Sequence, residues 1–99
     1  MVHLISPMEV EPEDEEAFLD DWKRLVDWLR SRPGFRAARL HRSTSPSARF
    51  RFVSMSIWED QAAITAAMGD PDFLELSELL AMPRSPSSYE LLEEVTGTH

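Results

Sequence analysis

The chain has 99 residues, 42% of them hydrophobic, and a formal net charge of -8, which suits one compact domain with a small core and leaves no room for a second. The acidic balance excludes a phosphate-tracking surface, because nucleic-acid binders concentrate Lys and Arg to displace counterions, so DNA, RNA and anionic membranes are not expected partners. Cysteine is absent, which rules out disulfides, thiolate nucleophiles, iron-sulfur clusters and thiolate zinc sites together and agrees with a cytoplasmic setting.

Val2 to Val10 is the first expected strand. Pro7 interrupts it, and since proline removes a ladder donor it predicts an edge strand or a bulge. The opening segment has no basic n-region or long apolar run, unlike a secretory signal, and nothing elsewhere approaches membrane-spanning length. Pro12 followed by Glu13, Asp14, Glu15 and Glu16 marks a helix start, because proline is tolerated in the first turn and acids favour the positive end of the helix dipole. Phe18, Trp22, Leu25 and Leu29 then recur at four, three and four residues. They form one narrow stripe, flanked by Leu19 and Val26, that should lie on a sheet. Arg30, Arg32, Pro33 and Gly34 end this helix near Ser31.

Phe35 to Arg42 alternates as a second strand, and the STSPSA cluster makes a loose hairpin loop before the third. In that third stretch, Arg49 to Asp60, alternation puts Phe50, Phe52, Ser54, Ser56 and Trp58 on one face and Arg51, Val53, Met55 and Ile57 on the other. Both faces carry apolar groups, so both need cover, and a second copy of the chain is the expected cover for one of them. Asp60 caps a short helix over Gln61 to Met68, closed by Gly69; Asp70 and Pro71 restart it, with Phe73, Leu76 and Leu80 facing inward. MPRSPSS is a linker and a candidate lid, in which Arg84 would meet an acidic substrate. Tyr89 to Val95 is the last expected strand, and 96–99 a frayed tail. The order strand, helix, strand, strand, helix, strand predicts an α+β ferredoxin-like plait, with an antiparallel sheet and helices on one face, as a single domain over 1–95.

Three segments, PGFRAARLHRS, RFRFVSMSIWED and DPDF, with the late Tyr89, resemble the antibiotic biosynthesis monooxygenase family. The resemblance implies a homodimeric α+β barrel with a pocket in each subunit between sheet and helices. It also implies oxidation of polycyclic aromatic polyketides, phenols or anthrones to quinones, with molecular oxygen and neither metal nor flavin. In such members an asparagine four residues before the tryptophan holds the substrate oxygen. Here that position is Ser54, and the sequence has no asparagine, so one hydroxyl of shorter reach stands where a paired donor and acceptor would be.

Trp58 is the first catalytic candidate: its flat indole can stack on a polycycle and donate to a developing oxyanion, or it is simply a core tryptophan. The whole enzymatic expectation is staked on this ring bordering an oily chamber beneath the helices rather than sitting wedged among neighbours. Ser54 shares its face as a candidate substrate contact, or is a small polar filler. His41 is the candidate general base, since imidazole titrates near neutral pH, or is a solvated histidine at the hairpin mouth; hairpin register decides which face it takes. Arg39, Phe52, Trp22 and Tyr89 are candidate substrate contacts, and Met55 and Met82 a candidate soft lining. Trp28 lies off the helix stripe, at a pocket rim or shielding the sheet edge. His3, His41 and His99 are too scattered for a metal site, and no nucleotide fingerprint is present, so no metal or cofactor is expected. The expected function is a cofactor-independent monooxygenase. Its rivals are a non-catalytic dimer that binds a hydrophobic metabolite and a polyketide cyclase on the same barrel.

Overall fold

The alternation that dominates the third strand sets the whole architecture. The computed structural model describes residues 1–80 and 82–98, so Ala81 and His99 lie outside the described residues. In chain order it contains β1 (Val2–Met8), a 3-10 turn at Pro12–Asp14, α1 (Glu15–Leu29), β2 (Phe35–Arg42), β3 (Phe52–Trp58), α2 (Gln61–Met68), α3 (Pro71–Ser77) and β4 (Ser87–Glu90). The strands form one sheet in the order β2-β3-β1-β4, and every neighbouring pair is antiparallel. This is the expected ferredoxin-like α+β fold.

Local chemistry places the helices. Asp60 accepts from the Ala63 N–H at 2.9 Å and Asp70 from the Asp72 N–H at 2.8 Å, so each caps the helix that follows it. The α1 stripe buries Phe18, Leu25 and Leu29 on the sheet face that carries Met8, Phe52 and Trp58. Trp28 reaches α3 instead, its ring 6.3 Å from that of Phe73, with the Arg32 guanidinium 4.5 Å from its centre. Gly34 turns the chain from α1 into β2 at φ 85, a backbone conformation open to residues without a Cβ. Its carbonyl accepts from the Glu59 N–H at 2.9 Å.

Two expectations are corrected. Pro7 lies in a central strand, not an edge strand, between β3 and β4. Its carbonyl accepts from the Ser85 N–H at 3.1 Å, so its missing donor points toward the β4 side, past the end of the β1–β4 ladder at Ile5 and Ser87, and costs the β1–β3 ladder nothing. The last strand is Ser87–Glu90, not Tyr89 to Val95. Antiparallel pairing sets Glu90 against Val2, the first residue of β1, so the chain beyond has no template to pair with, and Leu91, Leu92 and Val95 are exposed.

Candidate functional site

Along the helix-facing side of β3 the residues run Phe52, Ser54, Ser56, Trp58: large, small, small, large. Their partners on the same face are Met8, Ser6, Leu4 and Val2 of β1, and Leu40 and Ala38 of β2 stand beside Ser54 and Ser56. Each end of β3 is filled. Phe52 packs on Phe18 with ring centres 4.7 Å apart, and Trp58 meets Phe35 edge to face at 5.3 Å. Between these two aromatic pillars the small side chains leave a depression that α1 and α3 roof without filling. The result is a cavity of about 190 Å³, floored by Leu4, Ser6, Ala38, Ser54 and Ser56 and roofed by Trp22, Leu25, Leu29, Phe73 and Leu80, with Arg84 and Pro86 also in its wall.

Of the expected site residues, Trp22, Ser54 and Arg84 line this cavity, and the indole Nε1–H of Trp22 donates to Ser54 Oγ at 2.9 Å. Trp58 is elsewhere. It is 0% exposed, absent from the cavity wall, and donates its Nε1–H to Ser56 Oγ at 2.8 Å. The expectation that this ring borders the chamber is therefore corrected: at the strand's end it meets Phe35 and closes the core, so the enzymatic reading staked on Trp58 falls, and any such reading has to stand on the chamber beside Trp22 and Ser54 instead. Phe52, equally enclosed, serves the other pillar.

Register separates His41 and Arg39 from Ser54. His41 pairs with Val53 and Arg39 with Met55, so both point to the helix-free side of the sheet, and both are exposed. Tyr89 pairs with His3 on that same side and is 52% exposed. Met55 faces that side as well, while Met82 borders a separate groove. That groove, of about 460 Å³, carries Glu9, Glu11, Asp14 and Asp21, a charge pattern that repels an anionic ligand. Among the described residues no cluster of three or more His, Asp or Glu is placed to hold a metal ion, and no helix is long and apolar enough to cross a membrane.

Sequence reasoning missed Ser6 and Ser56 as cavity residues. Their signal was the alternation of serine with large apolar groups on β1 and β3, which becomes a site only when the two strands are aligned with Ser6 beside Ser54. The hydroxyls are used unequally. Ser54 and Ser56 each accept an indole N–H, Ser77 donates to the Leu74 carbonyl at 3.0 Å, and Ser6 Oγ is buried without a partner. Arg84, the one ionisable residue of the cavity wall among the described residues, donates to the Leu80 carbonyl at 2.9 Å. The chamber can enclose a flat apolar body, present hydroxyl donors to its oxygen and keep a fixed positive charge nearby. Among the described residues it holds no side-chain acid-base pair.

Comparison with known proteins agrees with this fold. The chain is similar in structure to SnoaB, a cofactor-independent oxygenase from Streptomyces nogalater, at 19% identity with a TM-score of 0.81, covering 97% of both chains. It is similar to a protein from Shewanella loihica PV-4, provisionally described as a monooxygenase, at 23% identity and a TM-score of 0.78, covering 94% of this chain and 95% of that one. A dimeric protein of unknown function and ferredoxin-like fold from Bacteroides fragilis shares 15% identity at a TM-score of 0.73, over 91% and 95% of the two chains. No curated protein matches the sequence. The model of one family, antibiotic biosynthesis monooxygenase, matches residues 1–79, and the chain belongs to that family.

Proposed function

We propose that this chain is a cofactor-independent monooxygenase that oxidises a compact aromatic phenol or anthrone of polyketide type to a quinone with molecular oxygen, acting as a homodimer in the cytoplasm. The observation that carries the proposal is the Trp22–Ser54 pair in the wall of a largely apolar chamber, within a family whose members include such oxygenases. A volume of about 190 Å³ exceeds the roughly 150 Å³ of an apolar cavity that holds benzene and falls below the roughly 300 Å³ where drug-sized pockets begin. That favours a substrate of few fused rings.

The substrate supplies the electrons. Loss of its acidic proton to water at the cavity mouth gives an electron-rich anion, which the positive charge of Arg84 favours. The anion passes electrons to oxygen, a carbon-oxygen bond forms, and the resulting hydroperoxide loses water to leave the quinone carbonyl. One oxygen atom enters the product and the other leaves as water. The protein encloses and desolvates the ring, and the Ser54 hydroxyl donates to the oxygen that gains charge.

The dimer rests on the helix-free face of the sheet, where Ile5, Val53, Met55 and Ile57 are only half-buried in one chain; the same face of a second copy would cover them. Aerobic incubation with anthrone tests the activity. Oxygen uptake matched to anthraquinone formation is the expected result, and a rate no higher than buffer sinks it. A second reading, ligand binding without turnover, is favoured by one observation: among the described residues the cavity wall carries no carboxylate or imidazole to serve as a base. Thermal stabilisation by the ligand with no oxygen uptake would establish that reading instead.

A further inference from the structure

We propose that Ser6 and Ser54, on neighbouring strands, act as two prongs of one clamp on a single ligand oxygen. This rests on the cavity being the ligand site. Four observations support it. Ser6 is 7% exposed, lies in the cavity floor and has no hydrogen-bond partner. A buried hydroxyl left unpaired costs stability, and its persistence needs a reason. Ser6 is also the direct ladder partner of Ser54.

The spacing suits a shared guest. Residues directly opposite in an antiparallel pair have Cβ atoms about 4.5–5.5 Å apart on one face. The two serines do not satisfy each other, because Ser6 Oγ is unpartnered. An oxygen between them lies within roughly 2.7–2.8 Å of each hydroxyl, the usual O–H···O length. Their electron pairs and protons are also apportioned correctly. Ser54 Oγ already accepts the Trp22 Nε1–H, which leaves its own proton to donate, while Ser6 has both its proton and its lone pairs unused. A carbonyl or phenolate oxygen takes two donated hydrogen bonds. A neutral phenol donates to Ser6 and accepts from Ser54.

The clamp makes a specificity prediction independent of turnover. It should select a ring that carries oxygen over the bare hydrocarbon of the same shape, because an oxygen-free ring leaves two hydroxyls dry and unpaired. Binding of 1-naphthol and of naphthalene, followed under nitrogen by quenching of tryptophan fluorescence, reads this directly. The native protein should prefer 1-naphthol. Ser6→Ala should cut that preference by about tenfold, the size of one well-placed buried hydrogen bond, with naphthalene affinity and melting temperature retained. Ser6→Cys, close in shape but a weaker donor, should fall between and serves if the alanine variant misfolds. An unchanged preference in both variants overturns the clamp, showing a hydroxyl that holds only a water; so does failure of the native protein to bind 1-naphthol. Because oxygen is excluded, absent turnover on anthrone would leave this result standing, and loss of the clamp would leave measured oxygen uptake standing.

Discussion

Trp22 and Ser54 are 32 residues apart in sequence, yet a hydrogen bond of 2.9 Å ties the middle of α1 to the middle of β3 through the wall of the cavity. Removing the acceptor with Ser54→Ala strands the indole N–H in a half-buried position. Stability should fall by about 1 kcal/mol, at the low end for an unsatisfied group because the cavity can admit water. Oxygen uptake with anthrone should fall further than this loss of folded protein explains. Thermal unfolding and an oxygen electrode on the same preparation separate the two, and an undiminished rate per folded molecule would remove Ser54 from the mechanism.

Trp58 predicts the opposite split. It fills one pillar of the core against Phe35 and is wholly enclosed, so Trp58→Ala should cost about 3–5 kcal/mol, the usual loss for a large buried aromatic. The milder Trp58→Phe should lower the melting temperature and leave the rate per folded molecule unchanged. A selective loss of rate in the phenylalanine variant, with stability intact, would return this ring to the site.

The contrast between these two tryptophans shows what was legible in the sequence. Period-two alternation assigned every β3 residue to its correct face, and Asp60 and Asp70 announced the caps that the structure contains. The α1 stripe also fell where its spacing put it. A hollow, however, belongs to no single segment. It arises because Ser6, Ala38 and Ser54 come from three strands and lie under one stretch of helix, which only the ladder registers reveal. A tryptophan at a strand's end and a serine at its centre look equally eligible on paper. In space, the end is plugged by a neighbouring aromatic and the centre is left open.

His41 and Arg39 stand on the far side of the sheet from the cavity. His41→Ala and Arg39→Ala should therefore leave both 1-naphthol binding and oxygen uptake per dimer within about twofold of the native values, because neither side chain reaches the cavity wall. Steady-state rates on the dimer check this. A tenfold loss in either variant would mean that the cavity draws on that face.

Gly34 leaves no room for a single added methyl group. Its φ of 85 suits glycine, and a Cβ there would lie 2.5 Å from the Ala63 Cβ. Gly34→Ala should lose about 1–2 kcal/mol to the left-handed backbone alone, with the contact adding more. Pairing it with Ala63→Gly should restore the contact part and leave the backbone part, which a double-mutant cycle by denaturant unfolding resolves. Full rescue would mean the backbone strain is negligible, and no rescue would mean the close approach relaxes freely.

Ile57 tests the dimer. Its ladder partners are His3 on one side and Ala37 on the other, all on the sheet face that no helix covers, and it is half-buried even in the single chain. Covering this face with a second copy would take Ile57 fully out of water, and Ile57→Asp would then bury a carboxylate in an apolar seam. An uncompensated buried charge costs about 3–5 kcal/mol, enough to raise the dimer dissociation constant at least about a hundredfold. The helices pack on the opposite face, so the variant monomer should keep its secondary structure by circular dichroism while its sedimentation coefficient falls to that of one chain. If the native protein already sediments as a monomer, or the variant still sediments as a dimer, the pairing does not use this face, and the apolar side chains of β3 need a different cover.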